Sequence, residues 1–295
     1  SAGVGNFVSI SPKSNQDDYL MTRFDYTISP KDTLFVRYVR DTALALTSQP
    51  NGSTVANYWG EADTTRNHFV TVEEDHVISP TFINLSRVSF LRPYENAETT
   101  TPPVPALNNV NTPGASQNTL ALGQKLTLGP TNLVPYRMAE QTYQGMDDVI
   151  WTHGSHSLKF GALFAVVDDF TNQGNTGAQW TFNNILSFLQ ALPNQLAASL
   201  PGHLDNYRDA VSKQFMPYIN DEWKVSRKLT LNLGVRYEWL SNPTERHNRL
   251  TNVTDLLTNT NFVPVPTVMP NNPSTRNFAP RIGFAYDPFS DHKTS

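Results

Sequence analysis

His153 and His156 stand three apart in HGSH, and two imidazoles at that spacing could begin a metal site. Zinc, however, takes three or four protein ligands, no further ligand stands nearby, and the Gly-Ser between the histidines reads as a tight turn. Asp168, Asp169, Asn172 and Asn175 in DDFTNQGNTG offer oxygen ligands loosely like a calcium loop, without the bidentate Glu or the spacing that such a loop needs. The expectation for both stretches is solvated polar chain, with no metal and no cofactor. Ser, His and Asp are all present, yet no nucleophile elbow, HExxH or phosphate-cradling glycine loop appears, so no enzyme is expected. The acids Glu73, Glu74 and Asp75 read as wall charges rather than a catalytic pair. What remains is a scattered polar set: Arg23, Asp25, Arg37, Arg87, Lys159, Asn232, Arg236 and Glu238. These side chains can bind a polar ligand only if the chain holds them on a common side; otherwise they are solvated lining.

The elements that would hold them are strands. In KLTLNLGVRYEW, Leu229, Leu231, Leu233, Val235, Tyr237 and Trp239 share one face, and Asn232, Arg236 and Glu238 share the other. Period two over eleven residues is the length of a bilayer-crossing strand, about 9 to 11 residues, rather than the 5 or 6 usual in globular sheets. Leu34, Val36 and Tyr38 oppose Arg37 in the same way; Phe24, Tyr26 and Ile28 oppose Arg23 and Asp25; Leu158, Phe160, Ala162 and Phe164 oppose Lys159; Ile282, Phe284 and Tyr286 oppose Arg281. An arginine on the lipid face at mid-bilayer costs about 2 to 4 kcal/mol. The apolar parity is therefore expected to meet lipid and the polar set to line a lumen. For the strand carrying Glu73, Glu74 and Asp75 either parity exposes an acid, and alternation leaves its face open.

Breaks between the runs alternate in length. Short ones fall at SPKDT (29–33), SPT (79–81), HGSH (153–156), SRK (226–228) and FSDHK (289–293); long polar stretches lie near 42–65, 96–137, 169–209 and 243–275. Long structureless loops are uncommon in compact domains, whereas short turns at one end and long loops at the other describe an outer-membrane barrel. Nine strands are predicted, at about 17–28, 33–41, 66–78, 82–94, 140–152, 157–168, 212–225, 229–240 and 278–287. In the loop FNNILSFLQALPNQL, Ile185, Phe188, Leu189 and Leu192 carry helical spacing that Pro193 stops. The fold class is all-β: an antiparallel up-and-down transmembrane barrel segment with one short loop helix.

Composition agrees. Of 295 residues only 16% are charged, against about 25% in ordinary soluble domains, while aromatics reach 11%. The net charge of −4 carries no basic footprint for nucleic acid. There is no cysteine, hence no disulfide framework and no thiolate metal site. No run of 18 apolar residues predicts a transmembrane helix, which leaves membrane strands untouched. SAGVGNFVSISPKSN has neither the basic nor the apolar region of a signal peptide, and nine strands would leave two unpaired edges, so a fragment of a larger barrel is expected.

The series DDYLMTRFDYTISPKDTLFVRYVRD, DHVISPTFINLSRVSF, DDVIWTHGSHSLKFGALF, NNILSFLQALP, YINDEWKVSRKLTLNLGVRYEW and NFAPRIGFAYDP resembles successive barrel hairpins of TonB-dependent receptors. It is most similar to the large Oar-like receptors that carry a carboxypeptidase-regulatory-like domain. The resemblance covers nearly the whole chain, no single motif is diagnostic, and it implies a larger barrel, of 22 strands, occluded by an N-terminal plug. It also implies import of a scarce ligand across the outer membrane of a Gram-negative bacterium, driven through an inner-membrane TonB complex. Residues 1–295 would then be partial barrel wall, with lipid, the protein's own plug and the missing strands as partners, and with the plug and C-terminal strands absent. The alternative is a surface-exposed β-rich module binding carbohydrate or protein.

Overall fold

The computed structural model describes residues 13–47, 59–100, 119–123, 126–129, 135–173, 178–199, 206–253, 255, 257–258 and 261–287. Alternation becomes strand throughout these regions. Nine long strands pair antiparallel in sequence order: β1 (Lys13–Ser29), β2 (Asp32–Thr47), β3 (Glu61–Ser79), β4 (Phe82–Arg92), β5 (Tyr136–His153), β6 (His156–Gln173), β7 (Tyr207–Lys224), β8 (Leu229–Tyr237) and β9 (Phe278–Tyr286). Short strands Tyr94–Thr99, Trp239–Leu240 and Thr244–Glu245 extend the same sheet at its long-loop end.

All nine predicted strands are present, and most run four to six residues further toward the long loops than alternation indicated. Stretches such as EADTTR (61–66) are polar on both faces, so they pair without an apolar signature. Asp168, Asp169 and Asn172 accordingly lie in β6 rather than in a loop; Asn175, and FSDHK at 289–293, fall outside the described residues. The predicted strand 229–240 is interrupted at Glu238, where Pro217 stands in the partner strand opposite Tyr237 without an N–H to donate. Glu238 instead donates its own N–H to the Asn277 carbonyl at 3.0 Å.

The short turns share a construction. Ser29 Oγ accepts from the Lys31 N–H (3.0 Å), Ser79 Oγ from Thr81 (3.3 Å), and Ser226 Oγ from Lys228 and Leu229 (both 3.2 Å). A serine hydroxyl thus closes each turn onto its own backbone, with Pro30 and Pro80 presetting the next φ. The turn at 153–156 uses Gly154 at φ +61.

Register is staggered. The row that begins at Asp32, the first residue of β2, passes through His76, Asn84 and Val149 to Phe160, Ile219, Val235 and Pro280, which lies six residues before the end of β9 at Tyr286. Nearly one residue of shift per strand is the stagger that tilts strands in a barrel wall.

The long loops carry a small sheet of their own. Thr119–Leu122 runs parallel to Gln179–Phe182, with Leu126–Leu128 and Gln195–Ala197 on either side. Helix α1 (Ile185–Leu189) starts at Asn184, whose side chain and that of Ser187 form a reciprocal cap. It ends three residues before Leu192, the last residue of the predicted spacing, because Gln190 caps it and Ala191 turns to φ 53. Phe188 packs on Phe182 at 5.2 Å.

No large side chain in the described residues is fully buried. Among the described residues no second layer packs on the long sheet, and Val88 (59% exposed), Phe164 (49%), Ile282 (84%) and Phe284 (75%) stand bare on one side. Interrupted by the row of Glu74, Ser86 and Asp147, this largely apolar face calls for an apolar surrounding.

Candidate functional site

Residues paired across antiparallel strands point to the same side, so the register decides which candidates belong together. One row reads Phe24, Val36, Val72, Val88, Gly145, Phe164, Phe215 and Trp239. With its neighbours two residues away along each strand, this apolar face carries Leu34, Tyr38, Leu229, Leu231, Leu233, Val235, Tyr237, Ile282, Phe284 and Tyr286. The opposite parity carries Arg23, Asp25, Arg37, Arg87, Lys159, Asn232 and Arg236, and Glu238 follows the parity of Arg236. Two sets named on separate strands are each brought onto one face.

The register also resolves the acidic strand. Glu73 pairs with Arg87 and Phe35, and Asp75 with Thr33, on the polar face, while Glu74 lies opposite Leu34 and Ser86 on the apolar one. Arg87 forms an ion pair with Glu73, which is 8% exposed. Arg23 stands directly opposite Arg37 and turns away from it, donating to Asp25 at 2.6 Å with its guanidinium 4.1 Å from the Phe35 ring centre. Arg236 donates to Glu238 at 2.9 Å and Lys159 to Asp148 at 3.4 Å.

Sequence reasoning missed Asp148 and Tyr218 on this face, and set Arg281 opposite the apolar parity without grouping it with the candidates. Asp148 is 7% exposed and accepts from the Tyr218 hydroxyl at 2.6 Å, and Arg281 stands opposite Gly234. Together with Lys159, Asn220 and Arg236 these last residues surround a concavity of about 410 Å³. Alternation was a usable signal for Tyr218 in MPYIND and for Arg281, but grouping them required the register of four strands.

The two histidines of HGSH stand opposite each other across the turn with different neighbours. His153 packs tilted on Trp151 at 5.4 Å, whereas His156 meets Asp221 at 2.7 Å and stacks on Trp223 at 5.2 Å. A different trio, Asp32, Glu74 and His76, brings one ligand atom each within 4.8 Å of one another at the short-turn end. Asp32 stands 42 residues before Glu74, so no spacing pattern pointed to the trio.

Aromatic residues mark the two ends of the apolar face: Tyr26, Trp151, Trp223 and Tyr286 toward the short turns, and Tyr38, Tyr143, Phe215 and Trp239 toward the loops. From Trp223 to Phe215 is eight residues of β7, roughly 27 Å along the strand and about 20 Å in height at a 35–45° tilt. An outer-membrane barrel has an apolar band about 25 Å tall between aromatic girdles.

The family described as an outer membrane beta-barrel domain matches residues 1–295. Among solved structures, the outer membrane transporter YddB from Escherichia coli is similar with a TM-score of 0.56 and 14% identity, over 95% of this chain and 30% of that one. At that identity the likeness is one of fold, and this chain spans under a third of that transporter's length. No curated protein sequence matches.

Proposed function

The chain belongs to the outer membrane β-barrel domain family, and from that premise we propose that it is a section of the wall of a TonB-dependent receptor that imports a ligand across the Gram-negative outer membrane. The observation that carries this is the segregation of side chains over nine registered strands, with apolar residues and aromatic ends on one face and Arg23, Arg37, Arg87, Lys159 and Arg236 on the other. At about 2 to 4 kcal/mol for each arginine or lysine placed in mid-bilayer lipid, the polar face belongs to the barrel interior. The free edges of β1 and β9 belong to further strands of the same protein, because unpaired backbone groups in lipid cost several kcal/mol each. A plug and a TonB-contacting segment are contributed from outside this chain, and ligand meets the long loops and the polar face rather than a catalytic centre.

This chain has no cysteine, so on a background cleared of any cysteine elsewhere single cysteines report cleanly. In the full-length protein reconstituted in vesicles, an environment-sensitive fluorophore at Leu233→Cys is expected to be quenched by bromine-bearing lipid, and one at Asn232→Cys by aqueous iodide. The reverse pattern, or equal quenching of both by iodide, overturns the wall assignment. Ligand import that survives collapse of the proton-motive force overturns the TonB part alone.

A further inference from the structure

On the polar face, Lys159, Asn220, Gly234 and Arg281 form one registered row across β6, β7, β8 and β9, and Tyr218 and Arg236 stand next to it in the row above. Those six residues, with Ile219 and Val235 between them, line the concavity of about 410 Å³. Its floor is open because Gly234 has no side chain. A Cβ there would come within 2.7 Å of Asn220 Oδ1, so the Asn220 amide already leans over the glycine.

The lining is rich in donors. Two guanidiniums, an ammonium and a carboxamide face the space, and no carboxylate is among the lining residues. Asp148 and Glu238, which partner Lys159 at 3.4 Å and Arg236 at 2.9 Å, hold those side chains from outside it. Arg281 has no ion-pair partner among the described residues. The closest other acid on this face, Glu222, lies two strands from Arg281 and one pleat nearer the short turns, opposite Asn232. Lys159 and Arg281 are three strand spacings apart, roughly 14 Å between backbones, with Asn220 and Gly234 between them in the row.

We propose that this row is a binding subsite for a small anion, a carboxylate- or phosphate-bearing ligand, with Arg281 as the principal contact and Lys159 and Asn220 completing it. A guanidinium offers paired N–H groups in the plane that carboxylate and phosphate oxygens match, and the ammonium adds an adjustable point charge. The size argues for a small molecule, because pockets for such ligands measure about 300 to 1,000 Å³. This inference rests on the placement of the polar face in the barrel interior.

The test uses the full-length protein, purified from outer membranes in detergent, with radiolabelled citrate and inorganic phosphate as probes and glucose as the neutral control in equilibrium dialysis. Saturable binding of at least one anion, and none of glucose, is expected. Arg281→Gln should weaken it at least tenfold, raising salt should weaken it in the wild type, and Gly234→Ala should weaken it without removing charge by displacing Asn220. Lys159→Gln serves as the second charge variant if Arg281→Gln does not assemble. No saturable binding of either anion, or binding unchanged in both charge variants, overturns the subsite; so does a drop in thermal midpoint for Arg281→Gln without any anion binding, which would assign the row to an acidic side chain of the protein itself. Heat-modifiable gel migration of the wild type is read in parallel: its loss defeats the barrel reading, whereas its presence without anion binding defeats the subsite only.

Discussion

The Tyr218 hydroxyl donates to Asp148 Oδ1 at 2.6 Å although a whole strand lies between their own. The residue between them is Gly161, registered with Asp148 on one side and with Tyr218 on the other. A Cβ at Gly161 would collide with the Asp147 carbonyl and with Asp148 Oδ1, and lie 3.1 Å from Asp148 Cα. The glycine is there to let the hydrogen bond pass over it. Gly161→Ala is therefore expected to destabilise by about 1 to 3 kcal/mol, as overpacking does, and Tyr218→Phe by about 1 to 2 kcal/mol through loss of a bond to a carboxylate. Urea unfolding of the refolded full-length protein, followed by tryptophan fluorescence, reads both. Since the glycine matters by letting the pair form, the double variant should cost less than the sum; strict additivity would separate the two residues.

Leu233 and Asn232 are neighbours in β8 with opposite parity, registered with Ile282 and Gly283. Leu233→Arg puts a guanidinium on the apolar face at about 2 to 4 kcal/mol if it lies near mid-bilayer, and Asn232→Arg adds one to a face that already holds Arg236 and Lys159. Heat-modifiable migration of the full-length receptor should be lost or much reduced for the first and kept for the second. Equal tolerance of both would sink the face assignment.

Glu73 is nearly covered while its partner Arg87 has a side chain 38% exposed. Removing the arginine alone leaves a covered carboxylate without its counter-charge, with Asp75 two residues away on the same face. Arg87→Ala is expected to destabilise by about 1 to 3 kcal/mol, less than the 3 to 5 typical of a fully buried pair because the arginine is partly solvated. The double variant Glu73→Gln/Arg87→Ala should recover at least half of that loss in the same unfolding measurement. No recovery would show that Arg87 acts by packing rather than by charge.

How far the sequence alone could be read follows from the range of each interaction. Strands such as 229–240 announce themselves because both faces are decided within one run of residues. Glu73, Glu74 and Asp75 could not be placed from their own strand, since three successive acids satisfy either parity; Arg87 opposite Glu73 decides the matter from the neighbouring strand. The Asp148–Gly161–Tyr218 row spans 70 residues and two different connections, and its register depends on where every intervening turn closes. The parallel pairing of Thr119–Leu122 with Gln179–Phe182 is less accessible still, because short apolar runs within loops have no period to detect. Turn chemistry lay nearer the surface of the sequence: Ser-Pro at 29–30 and 79–80 marks two of the short turns by residue type alone.

The loop after β8 folds back onto β7 through Glu245, and the geometry there predicts a pH response. Glu245 pairs with Ala210, fourteen residues from the turn end of β7 at Lys224, beyond the roughly 9 to 11 residues that cross the bilayer. Its carboxylate accepts from the backbone N–H groups of Arg249 (2.7 Å), His247 (2.9 Å) and Asp209 (3.3 Å). Burial pushes this carboxyl upward, but the three N–H donors and the nearby His247 outweigh it and hold the group below its ordinary value. A carboxylate held low in the folded state contributes stability that is present above its unfolded value and is lost as pH falls through the folded one. The loop segment 244–249 should thus be well protected at neutral pH and loosen only in acid, below the ordinary glutamate value of about 4.3. Amide protection factors at His247 and Arg249, measured by hydrogen exchange and corrected for intrinsic rates, are expected to fall over that window in the wild type. Glu245→Gln keeps an oxygen acceptor but has nothing to titrate, so its protection should be lower at neutral pH and flat with acidification. A wild-type loop whose protection rises in acid would reverse the sign and remove Glu245 as the group that pins it.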